Sequence, residues 1–202
     1  MMLGARTAAW SRNALLYDAE VEYLESTGTQ YISTMMIPTR VEVGLKPIDK
    51  ASPLYINAYF GVNNNGSRTT GLGSDTKDTL IARNYRGTTV EFHALWGRFH
   101  KVSFDGNTVS VDGVTQALVT NFGAVDQAIK SFGLFDIPQR DTQSTPKSAI
   151  SYCNMLDKDD NLMAELIPVR VGTVGYMYDR VSGRLFGNSG TGAFVIGPDK
   201  TT

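Results

Sequence analysis

The sequence predicts an all-β domain built from two packed sheets, and three observations predict it. Apolar residues recur with a period of two through most of the 202-residue chain, in short runs separated by turn residues. The 20 glycines exceed the usual share and the charged residues, at 19%, fall short of it. Many short strands joined by glycine-rich turns produce that bias, whereas helices would add Glu, Lys, Ala and Leu. No regular strand–helix–strand rhythm occurs, which excludes a doubly wound fold.

The first residues have a different texture. Residues 3–16 (LGARTAAWSRNALL) place Leu3, Trp10 and Ala14 roughly on one side of a short helix, and no acidic residue precedes Asp18. A short isolated helix is marginal in water, so this basic arm, taken as residues 1–20, is expected to dock. Its own domain and a larger assembly are both open as the docking surface.

From Val21 to the end the period is two, and residues 21–202 read as one domain. Val21, Tyr23 and Tyr31 alternate with polar neighbours, and 29–34 reads as a strand after the Ser26-Thr27-Gly28 turn. Strands are expected over 41–45, 54–62, 79–85 and 88–95, then in a meander over 98–104, 108–111 and 114–119. The meander turns at Asp105-Gly106-Asn107 and Asp112-Gly113, where glycine accepts the positive φ of a tight hairpin. Runs over 132–135, 148–155, 162–169, 175–178, 184–186 and 193–196 complete the set. A sandwich and a barrel both satisfy this pattern. Residues 61–78 and 136–147 are polar and poor in large apolar side chains, and read as long loops at one rim, where binding surfaces form.

The bulk numbers narrow the function. A net charge of −1 lacks the concentrated positive field that a nucleic-acid partner needs. No apolar run is long enough for a membrane span or a signal peptide, so the chain is expected to be made in the cytoplasm. The single cysteine, Cys153, cannot form an internal disulfide and reads as a buried, inert thiol on a strand.

Two stretches are more specific. The opening Val21-Glu22-Tyr23-Leu24-Glu25-Ser26-Thr27-Gly28-Thr29-Gln30-Tyr31-Ile32 resembles the start of concanavalin A-like, laminin-G-like domains of gut bacteria and their phages. The ending resembles the same group, from Leu166-Ile167-Pro168-Val169-Arg170 through Gly175-Tyr176-Met177-Tyr178-Asp179-Arg180-Val181-Ser182-Gly183 to Gly190-Thr191-Gly192-Ala193-Phe194 and Gly197-Pro198. The resemblance implies an antiparallel jelly roll of two curved sheets that binds glycan or protein. The Ser-Thr-Gly-Thr and Gly-Thr-Gly segments are read as turns that position strands. Without an export signal, the expected setting is a virion: a capsid decoration, fibre or tail adhesin, bound to a shell or fibre protein through the arm. A bacterial cell-surface accessory domain or a jelly-roll glycoside hydrolase is the alternative, a purely structural cement is a third reading, and self-association stays open.

No catalytic role is expected. Glycoside hydrolysis needs two carboxylates across a cleft. Glu20, Glu22 and Glu25 superficially resemble the Glu-x-Asp-x-x-Glu strand of jelly-roll glucanases, but they open the domain and read as a solvated strand edge. His93 and His100 could meet on neighbouring strands, yet no Cys or carboxylate cluster stands at metal-ligand spacing. Asp159-Asp160-Asn161 and Asp75 with Asp78 offer oxygens to calcium without a diagnostic pattern, so no cofactor is expected. Sugar recognition would instead stack an aromatic ring on a sugar face beside hydrogen-bonding groups. The candidates are Trp96 and Tyr85, with Arg83 on the same strand as Tyr85, and Asn63, Asn64, Asn65 and Arg68 in the 61–78 segment. Core packing is the default for each aromatic.

Overall fold

The computed structural model describes residues 16–48, 57–64, 68–74, 79–83, 89–93, 96–105, 107–117, 131–136 and 146–201. Among the described residues there is no helix, and the chain runs through strands throughout. In order these are β1 (Ala19–Glu20), β2 (Leu24–Ser26), β3 (Ile32–Ser33), β4 (Arg40–Pro47), β5 (Asn57–Asn64), β6 (Arg68–Ser74), β7 (Thr79–Arg83), β8 (Thr89–His93) and β9 (His100–Phe104). There follow β10 (Thr108–Val111), β11 (Val114–Ala117), β12 (Phe132–Leu134), β13 (Ser148–Leu156), β14 (Leu162–Val171), β15 (Val174–Asp179), β16 (Leu185–Phe186) and β17 (Val195–Ile196).

These strands form two antiparallel sheets packed as a sandwich. The larger has eleven strands, with the path β11-β10-β9-β4-β13-β14-β15-β16, β1 against β14, and β2 between β13 and β17. The smaller has six, in the order β3-β12-β5-β6-β7-β8. Strand β4 shows how the sequence sets the layers. Val41, Val43 and Leu45 are buried while Arg40, Glu42 and Lys46 stay partly exposed, the alternation of a strand with one covered face. The inward set joins Phe60, Leu72, Leu80 and Leu134 of the smaller sheet in one core. In the centre of that smaller sheet Ala58, Tyr59, Phe60 and Val62 are all buried, so both faces of β5 are covered there.

Two sequence expectations are corrected. The described part of 61–78 is strand rather than loop: β5 continues to Asn64, and β6 pairs with it from Asn57↔Ser74 to Asn64↔Arg68. The sequence hides β6 because Leu72 is its only large apolar residue, and ladder pairing with β5 and β7 supplies what side chains do not. Gly71 permits the close approach, since a Cβ there would lie 2.2 Å from the Phe60 carbonyl oxygen. The expected strand over 29–34 shortens to Ile32–Ser33. Thr29 and Gln30 instead form a turn: the Gln30 amide oxygen accepts the Thr27 N–H at 2.7 Å, and its Nε2 donates to the Thr191 carbonyl at 3.0 Å.

That turn explains why the two ends of the sequence carry matched motifs. The Thr191 N–H donates to the Thr29 carbonyl at 3.1 Å, and the Ser189 N–H to that of Tyr31 at 2.8 Å. Asn188 Oδ1 accepts the N–H groups of Tyr31 and Gly190. Both segments are turns that position strands, as read from sequence. A second such turn is built on Asp179, fully buried, whose carboxylate accepts the N–H groups of Glu165, Val181 and Ser182 and the Ser182 hydroxyl.

The Asp112-Gly113 hairpin forms as expected, with φ of 49° and 86° and Val111 paired to Val114. Cys153 is buried and burial pushes its thiol well above the ordinary range, so it is inert. The N-terminal arm expected over 3–16 lies outside the described residues except for Leu16, as does most of the 136–147 loop.

Candidate functional site

The structure divides the residues singled out from sequence into two groups. Asn63 and Asn64 close β5, Arg68 opens β6, and Arg83 ends β7 opposite Gly71. These four therefore share one end of the smaller sheet, on strands rather than in the loop expected for the first three. Asn65 and Tyr85 lie outside the described residues. Trp96 belongs to the opposite end, after β8, in a turn where the Gly97 N–H donates to the Pro47 carbonyl at 2.9 Å. It is partly buried against the core, the default for an aromatic side chain.

The chemistry read as weak from sequence has structural partners. His93 and His100 stand on β8 and β9, which belong to different sheets. His100 is buried and donates from Nδ1 to Asp112 Oδ2 at 2.7 Å. Burial alone would raise the Glu20 carboxyl, but the Arg180 guanidinium at 2.8 Å, with Lys200 and the Tyr17 hydroxyl, holds it below the usual carboxylate range. In the 157–161 turn, Asp157 accepts the N–H groups of Asp159 and Asn161, Asp159 pairs with Lys158, and Asp160 pairs with Arg40 at 3.0 Å. Among the described residues no group of three or more His, Cys, Asp or Glu is placed to hold a metal.

The outer face of the larger sheet carries a constellation that sequence reasoning missed. Directly opposed residues share a face. The register therefore lines up Thr115, Ser110, Ser103, Glu42, Asn154 and Glu165 in one row across β11, β10, β9, β4, β13 and β14. All six are partly or fully exposed, and all can donate or accept hydrogen bonds. The adjacent row is Lys101, Gly44 and Tyr152. Here a Cβ on Gly44 would lie 2.6 and 2.7 Å from the Tyr152 ring atoms Cε1 and Cδ1, so the ring lies across bare backbone. Burial first, then Glu42, pushes the Tyr152 phenol above its ordinary value and keeps it protonated as a donor.

The third row begins at Lys46, beyond which Ala149, Glu25 and Val195 follow. Phe99, 40% exposed, lies beside it, with its ring centroid 5.7 Å from that of Tyr23. The Lys46 ammonium stands 5.0 Å from the Tyr23 centroid and 5.5 Å from that of Phe99. Rows on one face are about 7 Å apart along a strand. Aromatic and hydrogen-bonding groups thus alternate over a span fitting several linked sugar rings.

No family model and no curated protein matches the chain. A solved structure does: a candidate carbohydrate binding protein from Bacteroides ovatus aligns with a TM-score of 0.52 and 11% identity, over 90% of this chain. The two share a fold. The chain spans 61% of the length of that protein, and at this identity the likeness extends to the sandwich rather than to any side chain.

Tyr152 was hidden for a geometric reason. The pairing of β13 with β4 shifts between Ile150 and Tyr152, which leaves both Ser151 and Tyr152 off the core between buried Ile150 and buried Cys153. Strict alternation would have turned Tyr152 inward. The usable signal was Gly44, a glycine inside a strand pattern, which marks a bulge or close packing.

Proposed function

We propose that the protein is a non-catalytic glycan-binding module whose ligand lies along the outer face of the larger sheet. The observation that carries this reading is the Tyr152 ring laid across Gly44 between a hydrogen-bonding row and an aromatic pair. Tyr152 and Phe99 offer apolar ring surface to sugar C–H groups. Ser103, Glu42 and Asn154 offer donors and acceptors to the hydroxyls. The shared fold with the Bacteroides ovatus protein, itself a candidate carbohydrate binder, supports the reading. Turnover is disfavoured: a glycosidase keeps one of two carboxyls protonated, whereas the Arg180 guanidinium holds the Glu20 carboxyl below the usual carboxylate range.

The test is a glycan array followed by titration calorimetry on the best ligand. Tyr152→Ala should weaken binding roughly tenfold, with Arg68→Ala and Arg83→Ala unchanged. The reverse pattern would move the site to the end of the smaller sheet, where the register gathers Asn63, Asn64, Arg68 and Arg83. A wild-type chain that bound no glycan would refute the reading.

The setting carried into this proposal is a virion adhesin or decoration, with a bacterial cell-surface module as the other. It is supported by the basic texture of residues 3–16. Deleting residues 1–16 should abolish association with virion shell proteins, measured by mass photometry, while the β-domain stays folded. Unchanged association would end the anchor idea.

A further inference from the structure

We propose that the Phe99 end of this face is a subsite for an acidic sugar, with Lys46 taking the anionic group and Phe99 the apolar face of the same ring. The proposal rests on the reading of the face as glycan-binding and names the class of glycan it takes.

Most cations of the larger sheet are paired with carboxylates. Arg40 has Asp160 at 3.0 Å, Lys101 has Glu42 at 3.6 Å, Arg170 has Asp199 at 2.7 Å and Arg180 has Glu20 at 2.8 Å. Arg98, the residue before Phe99, contributes its charge to Asp112. Lys46 differs. Its ammonium is held over two rings, at 5.0 and 5.5 Å, and among the described residues no carboxylate stands within ion-pair distance of it. Glu25, the acid in its row, is two strands away, about 10 Å along the sheet.

Ring faces fix the position of an ammonium but leave its charge uncompensated. A cation so held, with low-polarity surface beneath it, is pre-organised for an anion arriving from solvent. The second feature is Phe99, whose phenyl ring is 40% exposed next to that cation. A hexuronate carries a carboxylate at the edge of a ring whose C–H face is apolar. Seated on Phe99, it directs the carboxylate toward the side where Lys46 stands. A neutral hexose would fill the ring contact and leave the ammonium unmatched. The row of Ser103, Glu42 and Asn154 at the other end has no comparable free cation and suits neutral hydroxyls.

The experiment measures affinities of wild type, Lys46→Gln, Lys46→Arg and Tyr152→Ala for three probes: a galacturonate tetrasaccharide, its methyl ester, and a sulfated neutral tetrasaccharide. Lys46 is partly exposed and outside the core, so its variants should melt like wild type. Wild type should prefer the free acid to the ester. Lys46→Gln should weaken binding of the free acid about fivefold and leave the ester unchanged, and Lys46→Arg should restore most of the loss. An equal loss for the sulfated probe also supports the proposal and shows that charge is read; a loss confined to the uronate shows that the carboxylate is read. Equal affinity of wild type for acid and ester, or no effect of Lys46→Gln, overturns the subsite. If Tyr152→Ala still weakens binding in that case, the face survives as a neutral-glycan site. Failure of all three probes, with no binder on the glycan array, overturns both.

Discussion

Gly190 packs so closely on Thr29 that a Cβ at position 190 would lie 2.1 Å from the Thr29 carbonyl oxygen. The contact is backbone against backbone, reinforced by the Thr191 N–H to Thr29 carbonyl bond at 3.1 Å and the Thr29 hydroxyl to Thr191 carbonyl bond at 2.9 Å. Segments 162 residues apart are locked there, and the lock closes the sandwich near both ends of the described chain.

Gly190→Ala should therefore destabilise the fold by about 1–3 kcal/mol, because backbone atoms cannot step aside as a side chain can. Gly172→Ala is the control. Its Cβ would meet nothing within 4 Å, and its φ of 56° costs only about 1 kcal/mol. Urea unfolding compares the two. A Gly190 variant no less stable than the Gly172 variant would mean that the two turns separate easily.

The His100–Asp112 bond predicts a pH dependence. The hydrogen bond from buried His100, opposed by burial and aided by the Lys101 N–H and the charges of His100 and Arg98, lowers the Asp112 carboxyl below the ordinary aspartate range. A depressed folded-state pKa stabilises the protein above the unfolded value, and that stability disappears as pH falls through the folded one. Asp112→Asn keeps a residue that tolerates the φ of 49° while removing the charge. It should be less stable than wild type at neutral pH, by under about 1 kcal/mol because Asp112 is half-exposed and screened. The gap should close below about pH 4. A gap constant down to about pH 2 would show that the bond acts through shape rather than charge.

The legible and illegible parts of this chain differ in what encodes them. The hairpin of β10 and β11 was readable because its information is local: alternating residues on either side of an Asp-Gly pair. The same holds for β4, β13 and β14, whose apolar faces are dense enough to show a period of two. Strand β6 was not readable because its burial comes from neighbours: Gly71, Gly73 and Ser74 are buried by the strands beside them and contribute little apolar signal. The site is less local still. Tyr152 and Gly44 lie 108 positions apart in sequence, and only a bulge at Ser151 brings the ring onto the outer face. The aromatic pair of Tyr23 and Phe99 likewise joins the first strands to the ninth. Trp96 stood out by residue type, yet type alone does not say which face a ring meets.

Gly44→Ala separates stability from binding. The added Cβ would lie 2.2 Å from Ser151 Oγ and 2.6 Å from Tyr152 Cε1, both side-chain atoms that can move. Gly44 has no positive φ, so alanine brings no backbone strain. The variant should fold, at a cost of about 1–2 kcal/mol for the rearranged side chains. The Tyr152 ring, however, can no longer lie on β4 and must lift from the row that it shares with Lys101. Glycan affinity should then fall about as far as in Tyr152→Ala, roughly tenfold, and the double variant should lose no more than either single one. Additive losses would mean that Gly44 and Tyr152 act separately, and full binding by Gly44→Ala would show that the ring's position on β4 is not what the ligand uses.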